Sequence, residues 1–234
     1  MTGSTARLTG RPAFPSTGVY AVMFPKALVN AFVVEADVLT LIDTGTPGAA
    51  GKLAAAIRKA GRDLADVGRI LLTHRHADHA GNAAELARLT SAEVHVAPLE
   101  APFVRDGREQ PRPRPATPLG RALVPYVKVA LPWTLPRMDV QETLTDGARV
   151  GSFEVIETPG HTAGHVSLLW EERGILFTGD AAAHITTLGP HPAADDPARA
   201  RQSFRSLAQL DFDTAYFGHG RPLRSGARAR WPAG

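Results

Sequence analysis

"LLTHRHADHAGN", residues 71–82, sets three histidines and an aspartate within six positions, directly behind an apolar run. The whole chain of 234 residues has only nine histidines. His74 and His76 are two apart at a strand end. Side chains of an extended chain alternate with period two, so both point the same way. A helix beginning near Asp78 or His79 turns those two side chains in a neighbouring direction. The stretch therefore predicts two adjoining groups of ligand-type side chains, as a pair of metal ions needs. A polar loop with capping residues is the alternative.

Four further stretches share a context with it. "LIDTG" brings Asp43, "TPGHTAGH" brings His161, "LFTGD" brings Asp180 and "YFGHG" brings His219. In each, a ligand-type residue stands where an apolar strand meets a glycine. Strand ends of one sheet lie along one edge, so these residues can converge. The chain has no cysteine, so disulfides, thiolate metal ligands and a catalytic thiol are excluded. There is no G-x-S-x-G nucleophile elbow. Any metal must be held by imidazole and carboxylate.

The elements between these stretches alternate. "NAFVVE" and "VLTLIDTG" read as a hairpin around Ala36 and Asp37. "AAGKLAAAIRKAG" is helical, with Leu53, Ile57 and Ala60 in phase and Gly61 as its stop. "VGRILLTH" is a strand, "GNAAELARLT" a helix and "AEVHVA" a strand. "RVGSFEVIETPG", "HVSLLWEE", "GILFTGD" and "DTAYFGHG" are later strands. A helix entered through Pro197 spans residues 195–210. Residues 98–136 differ, holding nine of the 19 prolines. That segment is too long for a plain connection. Its end is apolar, through Leu123, Val124, Tyr126, Val127, Val129, Leu131 and Trp133. It reads as an insertion of short helices between prolines, at about residues 98–140 of one domain covering residues 1–234.

Taken together, "LIDTG", "THRHADHAGN", "TPGHTAGH", "FTGD" and "GHG" resemble, in order, the metallo-β-lactamase superfamily, over roughly residues 19–97 and 144–223. The resemblance implies an α/β fold, a four-layer αββα sandwich with a metal site on one edge. It implies that His74, His76 and His161 hold a first metal, that Asp78, His79 and His219 hold a second, and that Asp180 bridges them. Asp43 and His165 support the site without binding metal. The cofactor is then two divalent metal ions, zinc by default, with iron or manganese open. Two such metals lower the pKa of a shared water to about neutral, giving metal-assisted hydrolysis. Asp78 and Asp180 are the catalytic carboxylates.

Substrate class follows less directly, because fold and ligand set do not determine it. Glyoxalase II-like enzymes share the ligands but add a helical domain, and only 15 residues follow His219. Lactonases of the superfamily share "HxHxDH" and "PGHT", yet many place a tyrosine where this chain has Ala183. The expected substrate is a small ester, lactone or thioester. Its contacts are expected from His184, Tyr126 and Trp133, with the insertion as an acyl-binding lid or a homodimer contact. Rival readings are a mononuclear-iron persulfide dioxygenase, using His74, His161 and Asp180, and a phosphodiesterase or nuclease. His95 reads as structural, and His191 as exposed in a proline-flanked loop.

Composition agrees with a soluble enzyme: 44% hydrophobic residues, 21% charged, and a formal net charge of +3. Arg221, Arg224, Arg228 and Arg230 make a basic tail without an aromatic stacking pattern, read as solvated, so a nucleic-acid partner is not expected. The N-terminus lacks the apolar core of a signal peptide, and no run is long enough to span a membrane. Cytoplasmic localisation is the default expectation.

Overall fold

The computed structural model describes residues 15–25 and 27–232. Residues 1–14, where no signal peptide is expected, lie outside the described residues.

Two five-stranded sheets carry the architecture. The first holds β1 (Val19–Phe24), β2 (Val29–Glu35), β3 (Leu39–Ile42), β4 (Val67–Leu71) and β5 (Glu93–His95), in that order. The first three strands pair antiparallel, and β3, β4 and β5 pair parallel. Parallel pairs need crossovers. Helix α1 (Ala50–Lys59) makes the first; α2 (Ala77–Ala80) and α3 (Ala83–Thr90) make the second. The insertion contributes α4 (Ala101–Arg105), β6 (Arg114–Pro115) and α5 (Pro118–Ala130). The chain rejoins the edge of β5 at Gln141, whose N–H donates to the Val94 carbonyl at 2.8 Å.

The second sheet is built from β7 (Arg149–Val150), β8 (Phe153–Glu157), β9 (Val166–Trp170) and β10 (Ile175–Phe177). Short strands β11 (Ala183–His184), β12 (Leu188–Gly189) and β13 (Ala193–Ala194) follow, then α6 (Pro197–Ser206) and β14 (Thr214–Tyr216). Its order is β14-β10-β9-β8-β7, with β14 parallel to β10.

Strand alternation sorts the core into three layers. Phe32, Val34, Ile42 and Leu71 of the first sheet meet Phe153, Leu168, Trp170, Phe177 and Tyr216 of the second. Their alternates Ala31, Val33, Leu41 and Ile70 pack instead with Leu53, Ile57 and Leu86 of the helices. On the far side, Leu169 and Leu176 pack with Phe204, Leu207 and Trp231. The result is the expected four-layer αββα sandwich. Strands covered on both faces need continuous apolar sequence, which explains the runs "AFVV" and "VSLLW".

Two expectations need correcting. The prolines do not break the end of the insertion into short helices, because α5 runs through Pro125. Pro125 removes the N–H that would reach the Arg121 carbonyl, and both residues are exposed, where water replaces that bond. Nor is the C-terminal tail merely solvated. Its arginines are exposed, but Trp231 is buried, stacks on Phe204 and donates its Nε1–H to the Phe204 carbonyl at 3.0 Å.

Candidate metal centre

The edge where β4, β8, β10 and β14 end gathers the histidines. His74 Nε2, His76 Nδ1 and His161 Nε2 converge, with separations of 3.1 and 2.9 Å. Tetrahedral zinc–nitrogen bonds of about 2.0–2.1 Å imply ligand separations of about 3.3 Å, close to these. Beside them, Asp78, His79 and His219 form a second group whose ligand atoms lie within 4.8 Å of one another. Asp180 stands between the groups. Its Oδ1 is 3.5 Å from His79 Nε2, and its Oδ2 is 3.3 Å from His161 Nε2 and 3.5 Å from His219 Nε2. All seven residues are buried. Gly218 makes room for them, since a Cβ there would lie 2.2 Å from Asp180 Oδ1.

Backbone and neighbouring side chains hold each ring. Asp43, at a positive φ of 57°, accepts from the Thr73 N–H at 2.9 Å and from His79 Nδ1–H at 2.7 Å. His79 Nε2 is thereby turned to Asp180. His161 donates its Nδ1–H to the Ala193 carbonyl at 2.8 Å. His165 is occupied on both sides. Its Nε2 accepts from the Asp180 N–H at 2.9 Å, so its Nδ1–H donates to Thr158 Oγ1 at 2.8 Å. With its lone pair already used, His165 is unsuited to a metal, in keeping with the supporting place expected for it.

Charge states at the first histidine group suit a cation; in the second, burial would lower His79 and His219, but Asp180 and the neighbouring carboxylates outweigh it and raise both above the usual imidazole value. Burial pushes His74 and His161 well below the usual imidazole value, and His76 and His165 down to about 3, so these rings are neutral. Burial would raise Asp78, but the His219 hydrogen bond and nearby imidazoles outweigh it and hold it at about 2. Asp180 is likewise pulled well below its usual value, against burial, by His191, His219 and His79. Neutral imidazoles and ionised carboxylates are the forms that bind metal. Buried His79 Nε2 and Asp180 Oδ1 also have no hydrogen-bond partner. Unpaired buried polar atoms are costly, and a shared cation would satisfy both.

The remaining site expectations divide. A cavity of about 730 Å³ opens over His76, Asp78, His161, Asp180 and His219. Leu119, Leu123, Val124, Tyr126, Leu131 and Trp133 of the insertion line it. His184 does not line it. Its Nδ1–H donates to the Arg221 carbonyl at 3.0 Å, and its ring packs on Phe217, while the following Ile185 and Thr186 reach the cavity. His191 is not exposed in a loop: its Nε2 is 3.4 Å from Asp180 Oδ2 and its side chain is 14% exposed. His95 is buried and bonds Thr143 Oγ1 at 2.9 Å, as a structural residue would.

Sequence reasoning missed a buried ion cluster. Arg75, between the two leading histidines, donates to both carboxylate oxygens of Glu100 at 2.8 and 3.0 Å and to Asp195 at 2.5 Å. Glu100 also accepts from the Gly164 N–H at 2.7 Å. This cluster ties together the loops that carry His74, His161 and His191. Asn30 is a second such tie, donating to the Phe217 and Gly220 carbonyls at 3.0 and 2.9 Å and so gripping the His219 loop. The arginine inside "HRH" was the available signal for the first; nothing in the sequence marked Asn30.

Residues 25–219 match the family model of the metallo-beta-lactamase superfamily. The chain is 30% identical to the Bacillus subtilis protein YobT over 88% of each chain. It is also 30% identical to a hydroxyacylglutathione hydrolase of Cereibacter sphaeroides, over 70% of this chain but 51% of that enzyme, so it spans about half of that relative's length. Among solved structures, TTHA1623 in a di-iron-bound form superposes with a TM-score of 0.66 at 29% identity, covering 91% of this chain and 98% of the other.

Proposed function

The chain belongs to the metallo-β-lactamase superfamily and is a metal-dependent hydrolase, and from that premise we propose that it holds two divalent metals and cleaves a small ester, lactone or thioester with a lipophilic acyl group. His74, His76 and His161 would hold one ion, and Asp78, His79 and His219 the other, with Asp180 shared. When bound, such a pair supplies a nucleophilic water that ionises near neutral pH and polarises the attacked carbonyl. Asp78, ionised and facing His219 at 3.4 Å, orients that water and carries a proton toward the leaving group. Zinc is the default ion; the di-iron form of a similar structure keeps iron in consideration.

The observation that carries the substrate reading is the cavity wall. It runs from the polar floor of histidines and carboxylates to Leu28, Leu119, Leu123, Val124, Leu131 and Trp133. Burying one such side chain against a ligand stabilises the complex by roughly 1.5–3 kcal/mol. The residues between 98 and 140 act in this reading as a lid, and the protein as a cytoplasmic enzyme. The test is reconstitution of chelated protein with zinc or manganese without oxygen, followed by esters, lactones and thioesters of increasing acyl length. Rising kcat/KM with chain length is expected. Activity only with ferrous iron, a persulfide and oxygen would replace hydrolysis by dioxygenase chemistry.

A further inference from the structure

His191 was not among the expected ligands, yet it stands beside Asp180 in the candidate metal site. Asp180 Oδ2 has three imidazole Nε2 atoms around it: His161 at 3.3 Å, His191 at 3.4 Å and His219 at 3.5 Å. The His191 ring centre is 4.6 Å from that of His161 and 5.0 Å from that of His219. The ligand atoms of His161, Asp180 and His191 lie within 4.8 Å of one another.

The backbone aims His191 as it aims His161. His161 Nδ1–H donates to the Ala193 carbonyl at 2.8 Å. His191 Nδ1 lies 3.0 Å from the same carbonyl and 3.2 Å from the Ala193 N–H; the shorter contact, taken as the hydrogen bond, puts the proton on Nδ1, whereas the longer one would put it on Nε2. One oxygen thus orients both rings with Nε2 toward Asp180. A proton held on Nδ1 leaves Nε2 as a bare lone pair. A lone pair facing a carboxylate oxygen is repulsive unless a cation lies between them. A hydrogen bond from the far ring nitrogen to a backbone carbonyl is also the usual support of a metal-binding histidine.

The loop bearing His191 is itself built in. Asp195 pairs with buried Arg75 at 2.5 Å, and the Asp195 N–H donates to the His161 carbonyl at 3.0 Å. β13 pairs with β6, and the Ala116 N–H donates to the Pro192 carbonyl at 2.8 Å, so the insertion backs the loop.

We propose that His191 is an eighth protein ligand of the metal centre, binding through Nε2 the divalent ion that His161 and Asp180 share. This rests on reading the cluster as a metal centre. It places a nitrogen where the cavity meets the ion, so part of the coordination position open to water or substrate is shaped by this loop.

Cobalt(II) tests it without relying on turnover. Wild type, His191→Ala and His191→Gln are stripped with chelator and titrated with cobalt(II), following the visible absorption and competition with a chromophoric chelator. Losing a direct ligand should weaken metal affinity at least as much as losing an outer partner, about 10–100-fold, for one of the bound ions. The ligand-field bands should shift, and Gln, whose size keeps the loop packed, should reproduce the loss if Ala fails to fold. If wild type binds cobalt(II) and both the bands and the affinity of the Gln variant match it, His191 is no ligand, even where turnover falls. If wild type binds no cobalt(II), the metal-centre reading fails with it.

Discussion

The floor and the roof of the cavity are built on opposite principles. The floor is polar and closed: seven buried ligand-type side chains, set on loops and the short helix α2 at the ends of strands and braced by Asp43, His165 and the Arg75–Glu100–Asp195 cluster. The roof is apolar and open: Leu119 and Leu123 are partly exposed and Tyr126 is 76% exposed, on a helix with a proline inside it. Buried polar groups must each have a partner, so one loss on the floor propagates. Apolar groups at a solvent boundary contribute area that can be trimmed. Floor changes should therefore abolish function, and roof changes should tune it.

The largest effect is expected at the shared carboxylate. Asp180→Ala leaves two cationic positions without their common anion; at least one metal and nearly all hydrolysis should be lost, measured by elemental analysis and turnover. Retention of both would put floor and roof on an equal footing. Arg75→Ala strips the partner from Glu100, which is fully buried, and should cost about 3–5 kcal/mol in denaturant unfolding. Asp43→Ala removes the orienting group of His79 and the acceptor of the Thr73 N–H, and should weaken metal affinity or activity by about 10–100-fold. On the roof, Trp133→Ala or Tyr126→Ala should lower kcat/KM for long-chain substrates by about tenfold, the value of one buried apolar side chain, with metal content and short-chain turnover unchanged. Equal losses on short and long chains would make α5 part of the core or an interface.

The smallest effect belongs to a control outside both regions. Asp37 pairs with Arg69 at the far end of the sandwich. Burial would raise its carboxyl, but Arg69 and Ser152 outweigh this and lower it to about 2. Its contribution is present above the ordinary carboxyl value and lost as pH falls through about 2. Because the Asp37 side chain is 39% exposed, Asp37→Ala should cost at most about 1 kcal/mol in denaturant unfolding near neutral pH and leave both cavity regions intact.

The same contrast explains what could be read from sequence. The floor was legible because strand ends, glycines and histidines recur in one local pattern, each motif carrying its ligand within a few residues. Three things escaped it. His191 lies in "GPHPA", where proline spacing suggests an exposed loop; contacts of that loop with β6, Arg75 and the His161 loop, all distant in sequence, bring it inward. Glu100 sits at the mouth of the insertion, and nothing local says that its partner is Arg75, 25 residues earlier. Asn30 acts on a loop 187 residues away. The roof was legible as composition but not as conformation, because a proline on an exposed helix face is tolerated where one in the core is not. The chain's first strand, β1, was also missed, although Pro15 to Gly18 and Pro25 bound "VYAVMF" with turn residues; it has only two β-branched residues, fewer than "VLTLIDTG" offers.

The claim that the floor is a two-metal hydrolytic centre is tested most directly by counting. Purified chain, stripped and dialysed against zinc or manganese without oxygen, is analysed for bound metal while ester hydrolysis is followed in the same samples. Two ions per chain are predicted, with hydrolysis appearing as the second is filled. One iron per chain as the sole active form, with turnover that requires oxygen, would contradict it.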